Sequence, residues 1–185
     1  LDMAERALKD RRYPESLTAA NASIVASTQS ISNTRDKIFY GEIAQINALL
    51  LNAKIAAAMI PEKTTDIKKR TDIVQSSYKG NQNNDVQFTE SMEKLAKLKT
   101  EAANLDSDAK AKRDELSKQI GAAIASSKQE EVEKYAEKEL NKAEESYRMA
   151  DAAYKRQDYL AAKAAYDSAL ASLKEVEIRK QEKVY

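Results

Sequence analysis

Apolar residues recur at alternating spacings of three and four along most of the chain, the signature of helices with one buried face. The first short helix is expected over about Asp2 to Arg11. Tyr13 and Pro14 then mark a turn, and Pro14 suits the first position of a new helix. From there Leu17, Ala20, Ile24, Ser27, Ile31, Thr34 and Ile38 form a seam in which half the positions are small or hydroxylated. Near Phe39 the stripe shifts by one residue and continues as Ile43, Ile46, Leu50, Ala53, Ala57 and Ile60. Such a stutter changes local supercoiling, and Gly41 inside it is a natural place for a bend. The pattern predicts one long helix over 14–59, about 70 Å at about 1.5 Å per residue, ended by Pro61.

A third helix is expected from Glu62 to Lys79, burying Ile67, Thr71, Val74 and Tyr78. The segment Lys79 to Asp85, a glycine followed by amides and an aspartate, is the clearest loop. A fourth helix, Val86 to Ala103, buries Phe88, Met92, Leu95, Leu98 and Ala102. "NLDSD", Asn104 to Asp108, is either a turn or N-cap region or a solvent-facing patch on one longer helix. The next stripe is Leu116, Ile120, Ala123 and Ile124, and a break or N-cap is expected at Ser126 to Glu131. A hairpin closes the chain over about 130–181. Its first helix carries Val132, Ala136, Leu140, Ala143, Tyr147, Ala150 and Tyr154; its second carries Tyr159, Ala162, Tyr166, Ala169, Leu173 and Val176. Strand signals are absent, since β-branched residues never alternate over a useful length. The expected fold is therefore all-α: a single domain over 1–185, an elongated antiparallel bundle of six or seven helices.

Composition sharpens this picture. Only 3 glycines and 2 prolines punctuate 185 residues, so elements are long. Charged residues make up 33% of the chain, yet the net charge is +1. The signs are interleaved, as on solvated helix faces, and no basic stripe for nucleic acid is present. There is no cysteine and no histidine. Thiolate chemistry and cysteine metal sites are thereby excluded, and no side chain titrates near neutrality without a shifted pKa. The most apolar stretch, Ile43 to Ile60, is interrupted by Gln45, Asn47, Asn52 and Lys54 and reads as a core helix, so no transmembrane segment is expected. The opening "LDMAERALKD" has neither an initiator methionine nor a signal pattern and reads as the interior of a longer chain.

Candidate chemistry is sparse. Acids mostly stand beside lysines and arginines at exposed spacings, such as Glu130 with Lys134 and Glu144 with Arg148, as solvated ion pairs do. Asp106 to Asp108 lacks the twelve-residue calcium-loop pattern. The basic clusters Lys9 to Arg12, Lys68 to Arg70 and Arg179 to Lys183 are short and isolated. No catalytic residues, cofactor site or metal ligands are indicated, and the chain is not read as an enzyme. The candidate partner-binding residues are five tyrosines, Tyr135, Tyr147, Tyr154, Tyr159 and Tyr166, which form either an aromatic groove for a peptide or spacers between helices.

Ala150, Tyr154, Asp158, Tyr159, Ala162, Tyr166 and Ala169 resemble the turn and second helix of a tetratricopeptide repeat. Asp158 is expected to cap the second helix. Ser146 departs from the family's large aromatic, and no proline follows Leu170. A degenerate echo lies near the start, with Ala4, Tyr13, Ser16 and Ala20 in corresponding places. Two distant copies do not make a solenoid, so the resemblance implies isolated tetratricopeptide-like hairpins within a bundle. More faintly, the Ala/Lys/Glu-rich helices, "DRRYPES" and the basic exit "IRKQEKVY" resemble helical regions of spirochaetal envelope proteins that precede a peptidoglycan-binding LysM module. That resemblance implies a periplasmic or membrane-anchored setting and a role in envelope integrity or cell separation, with the cytoplasm left open. The expected function is a protein–protein interaction or scaffold domain, with a rigid helical spacer as the alternative. The seam from Leu17 to Ile38 also offers a surface for self-association.

Overall fold

The computed structural model describes residues 2–79, 84–129 and 132–184. Among them the chain forms seven helices and no strand: α1 (Asp2–Lys9), α2 (Tyr13–Asn52), α3 (Lys54–Met59), α4 (Pro61–Tyr78), α5 (Asp85–Gln129), α6 (Glu133–Lys155) and α7 (Tyr159–Val184). The fold is all-α. The chain divides into two compact units, where the sequence suggested one domain: Leu1–Leu49 with Ile67–Glu101, and Leu50–Asp66 with Ala102–Tyr185.

The core of the first unit is built from Phe39, Ile43 and Ile46 of α2, Ile67, Thr71, Val74 and Tyr78 of α4, and Leu95 and Leu98 of α5. Phe39 and Tyr78 stack at 3.8 Å between ring centroids, and Phe88 leans on Tyr78 at 6.2 Å. The Tyr78 hydroxyl donates to Asp36 at 3.1 Å, and the Thr71 hydroxyl donates to the Ile67 carbonyl at 2.8 Å, so both buried hydroxyls are satisfied. Ion pairs Arg35–Asp85, Arg70–Glu101 and Lys99–Glu42 edge this core. At the start of α5 the Asn84 side chain accepts the Gln87 N–H at 3.1 Å, an N-cap. Residues 80–83 of the expected loop lie outside the described residues.

The seam from Leu17 to Ile38 is not a buried one. Leu17, Ile24, Ile31 and Ile38 are all exposed, and burial along α2 starts only at Phe39. The core face of the helix follows the second stripe, one residue out of phase with the first.

The single helix expected over 14–59 is interrupted at Ala53, whose φ of −77° and ψ of 62° are not helical. Residues two apart lie on nearly opposite sides of a regular helix, so an unbroken helix burying Ala53 and Ala57 would turn Ile55 and Met59 outward. After the break Ile55, Ala56, Ala58 and Met59 are buried and Ala57 is exposed. Burial of two large side chains in place of one alanine is the physical reason. The cost falls on the freed N–H groups of α3, and Asp106 of α5 meets part of it by accepting the Ala56 N–H at 3.1 Å.

The second unit gathers α3, the C-terminal part of α5, and the α6–α7 hairpin. Leu105, Ala109 and Ile120 of α5 are fully buried. "NLDSD" is thus part of one long helix, with Leu105 facing in, Asp106 capping α3 and Asp108 paired with Lys63. α6 packs along α7 through Leu140, Ala143, Ala150 and Ala153 against Ala162, Tyr166, Ala169 and Val176. Small side chains let the two backbones approach closely. Ser146, where the repeat family has a large aromatic, is buried and shares a 3.1 Å hydrogen bond with Ser168. The expected break at Ser126 to Glu131 includes residues 130 and 131, which are not among those described. α6 begins at Glu133, three residues later than expected, and is kinked at Ala136.

The α1–α2 and α6–α7 turns share one backbone design. α6 ends with Gln157 in the left-handed region (φ 62°), and hydrogen bonds run from Gln157 N–H to the Tyr154 carbonyl and from Asp158 N–H to the Ala153 carbonyl. α1 ends with Arg11 at φ 58°, with bonds from Arg11 N–H to Leu8 and from Arg12 N–H to Ala7. Both are Schellman turns, and each holds a side chain where glycine is favoured. Gln157→Gly removes the left-handed penalty and is expected to stabilise the protein by about 0.5–1 kcal/mol. A rise of about 1–4 °C in the melting temperature checks this, and a fall would show that the Gln157 side chain itself holds the turn.

Candidate functional site

The five tyrosines all fall in the second unit, in three separate settings. Tyr135 is half-buried against the cluster of Val132, Ala136, Leu140 and Val176. Tyr154 and Tyr159 flank the α6–α7 turn and meet edge to face at 5.3 Å. Tyr147 and Tyr166 lie on the facing sides of α6 and α7, their rings 6.3 Å apart. Tyr166 is fully buried, while the other four are partly exposed. Asp158 caps α7 as its position suggests, accepting the Ala161 N–H at 3.2 Å.

Arg113 of α5 organises the upper part of this region. Its Nε donates to the Tyr166 hydroxyl at 3.0 Å and its Nη2 donates to Asp151 at 2.8 Å. The Tyr166 hydroxyl in turn donates to the same Asp151 oxygen at 2.6 Å, and the guanidinium lies 4.3 Å from the centre of the Tyr154 ring. Asp114 takes the remaining Nη1 at 2.8 Å. One helical turn away the Tyr147 and Ser117 hydroxyls share a bond of 2.9 Å, and a Cβ at Gly121 would come within 3.5 Å of the Tyr147 oxygen. That is ordinary van der Waals contact, so the tyrosine packs against α5 at this point without requiring glycine.

Electrostatics follow from this geometry. Burial pushes the Tyr166 hydroxyl up to about 12, with Asp151 adding to the rise and Arg113 opposing it. Burial, with the bond to Asp36, does the same to Tyr78 in the first unit, also to about 12. Burial also raises Tyr154, against the opposing Arg113 charge. Burial alone would lower the pKa of Arg113, but its bonds to Asp114 and Tyr166 and the Asp151 charge outweigh it and hold the group protonated. The sign for stability is definite. A tyrosine ionises near 10 when unfolded, so the folded state keeps its proton longer. The contribution of Tyr78 and Tyr166 to stability is full below pH 10 and is lost as pH rises towards 12. Urea unfolding at successive alkaline pH values is expected to show this decline, and Tyr166→Phe with Tyr78→Phe to flatten it. An undiminished slope in the double variant would assign the decline to other groups.

Arg113 and Asp151 were not distinguishable in sequence, because both sit among interleaved charges that read as solvated. Other pairings follow the fold and not the local spacing: Glu144 is held by Lys128 at 2.7 Å, where sequence spacing suggested Arg148. The Glu130–Lys134 pair lies outside the described residues. The basic clusters meet acids. Arg12 binds Asp10 at 3.0 Å and Glu15 at 2.6 Å, Arg70 pairs with Glu101, and Arg179 binds Glu182 at 3.1 Å.

The first unit also offers apolar surface. An open groove of about 880 Å³ runs between α1 and the start of α2, lined by Met3, Pro14, Ala19, Ala22 and Ala26 among others. The exposed stripe of Leu17, Ile24, Ile31 and Ile38 lies on a different face of α2. Among the described residues, no group of three or more acids, histidines or cysteines is placed to hold a metal ion, and no helix is long and apolar enough to cross a membrane. Comparison with protein-family models, with curated proteins and with solved structures returns no match.

Proposed function

We propose that this chain is a non-enzymatic protein–protein interaction or scaffold domain. The observation that carries the reading is the N-terminal half of α2, where four large aliphatic side chains stand in solvent on one helix face. A protein that leaves such a contiguous stripe uncovered ordinarily uses it for association. The tyrosine region supports the same reading from the other side: Arg113 and Asp151 are spent on holding helices together, an arrangement suited to rigidity. The tetratricopeptide-like hairpin and the resemblance to spirochaetal LysM-associated helices extend the proposal to a bacterial cell-envelope protein, periplasmic or membrane-anchored, that supports envelope integrity or cell separation.

The alternative is a rigid spacer, favoured by the 45 uninterrupted residues of α5. Three versions of the gene in its own host separate the two: the native chain, an unrelated helical bundle of equal length in its place, and the variant Ile24→Lys/Ile31→Lys. Loss of function in both altered versions is the outcome the scaffold reading requires. Full function with the unrelated bundle would establish the spacer.

A further inference from the structure

We infer that α2 carries a self-recognition face on which a second copy of this chain lies antiparallel, along residues 13–38 and centred between Val25 and Ala26. This deepens the scaffold reading and rests on it. Leu17, Ile24, Ile31 and Ile38 recur every seventh residue, while Ala20, Ser27 and Thr34 occupy the intervening seam positions. Tyr13, Leu17, Ile24, Ile31 and Ile38 are 61%, 64%, 63%, 51% and 48% exposed. The core of the unit takes an adjacent face of the helix, about 100° round, through Asp36, Phe39 and Ile43.

A seven-residue repeat drifts by about 20° per heptad on a straight helix, so only a helix that supercoils with α2 can follow this face over its length. Large and small residues alternate along the seam, and that alternation decides orientation. In a parallel pair, like positions would meet, giving layers of two aliphatics alternating with layers of two small residues, crowded and empty in turn. In the antiparallel register each of the six inner layers holds one of each. Leu17 lies opposite Thr34 of the second copy, Ala20 opposite Ile31, and Ile24 opposite Ser27, with Tyr13 against Ile38 at both ends. The face is complementary to itself under a two-fold axis, as an isologous dimer requires.

Two further observations agree. From Ser16 to Thr34 nineteen consecutive residues carry no charge, in a chain whose composition is 33% charged, so two copies meet without repulsion. The Thr34 hydroxyl donates to the Ser30 carbonyl at 2.9 Å and needs no solvent partner. Covering the five large side chains on both copies removes on the order of 1,000 Å² from water, the size at which specific interfaces begin.

The absence of cysteine makes the register directly testable in the purified chain. Sedimentation over a concentration series is expected to show a monomer–dimer equilibrium, abolished by Ile24→Lys/Ile31→Lys with unchanged helical circular dichroism. The milder pair Ile24→Ser/Ile31→Ser guards against misfolding and is expected to weaken the dimer at least tenfold. Under mild oxidation Leu17→Cys/Thr34→Cys should give a covalent dimer. Leu17→Cys alone should not, because its two copies lie about 25 Å apart in the antiparallel register. A chain that stays monomeric throughout, a dimer indifferent to both isoleucine pairs, or a disulfide from Leu17→Cys alone would each overturn the proposal. None of these outcomes touches recognition of a different protein: a chain that is monomeric in solution yet loses function in its host as Ile24→Lys/Ile31→Lys keeps the scaffold reading and ends this one.

Discussion

Phe39→Ala is expected to cost about 3–5 kcal/mol of stability, the range for emptying a fully buried aromatic site. Phe39 has no exposed surface. Its ring stacks on Tyr78 at 3.8 Å and an interplanar angle of 22°, and meets Tyr40 edge-on at 5.3 Å. The surroundings are poorly able to collapse into the space left behind. Tyr78 is pinned by its hydroxyl to Asp36, and Arg35 covers Phe88 while paired with Asp85. Urea unfolding of Phe39→Ala, with Leu51→Ala as a control at an exposed position, measures the difference. Leu51 is 81% exposed, and its variant should stay within about 0.5 kcal/mol of the native protein. A loss below about 1.5 kcal/mol for Phe39→Ala would mean that the aromatic stack does not anchor the first unit.

Arg113→Met is expected to cost about 2–4 kcal/mol. Methionine replaces the stem of the side chain, so what is lost is the guanidinium, and Asp151 is left without its cationic partner. The full penalty for orphaning a buried charge is reduced here because Asp151 is 33% exposed and can draw some water. The Tyr166 hydroxyl still donates to Asp151, which limits the loss further. A double-mutant cycle with Asp151→Asn isolates the pair: the amide is neutral, so the second substitution should cost less in the Arg113→Met background than alone. Strict additivity of the two would sink the claim that these groups work as one network.

Much of the fold was legible because local signals and burial agree. Ile67, Thr71, Val74 and Tyr78 share one face at helical spacing, and all four are buried. Asp158 announces the start of α7 by residue type and position, and it accepts the backbone bond expected of it. Where the reading failed, the determinant was distant in sequence. Nothing near Ala53 breaks a helix, since alanine is the best helix former of all. The break exists because Ile55 and Met59 gain burial and because Asp106, fifty residues from Ala56, receives the freed N–H. The seam from Leu17 to Ile38 has the periodicity of a buried face, and periodicity is indifferent to whether the partner lies within the chain. The tyrosines were legible as a set but not as an arrangement. Their grouping depends on Arg113 and Ser117 of α5, which carry no local mark.

The borrowed cap on α3 sets an order of events in folding. Six residues are too few to hold a helix in water, and this helix has no side-chain cap from its own flank. Its native contacts are therefore expected to form only once α5 brings Asp106, after the rate-limiting barrier. Asp106→Ala and Ala56→Gly should accelerate unfolding while leaving the refolding rate nearly unchanged, a pattern that stopped-flow chevrons read directly. Slowed refolding in either variant would instead make α3 part of the nucleus.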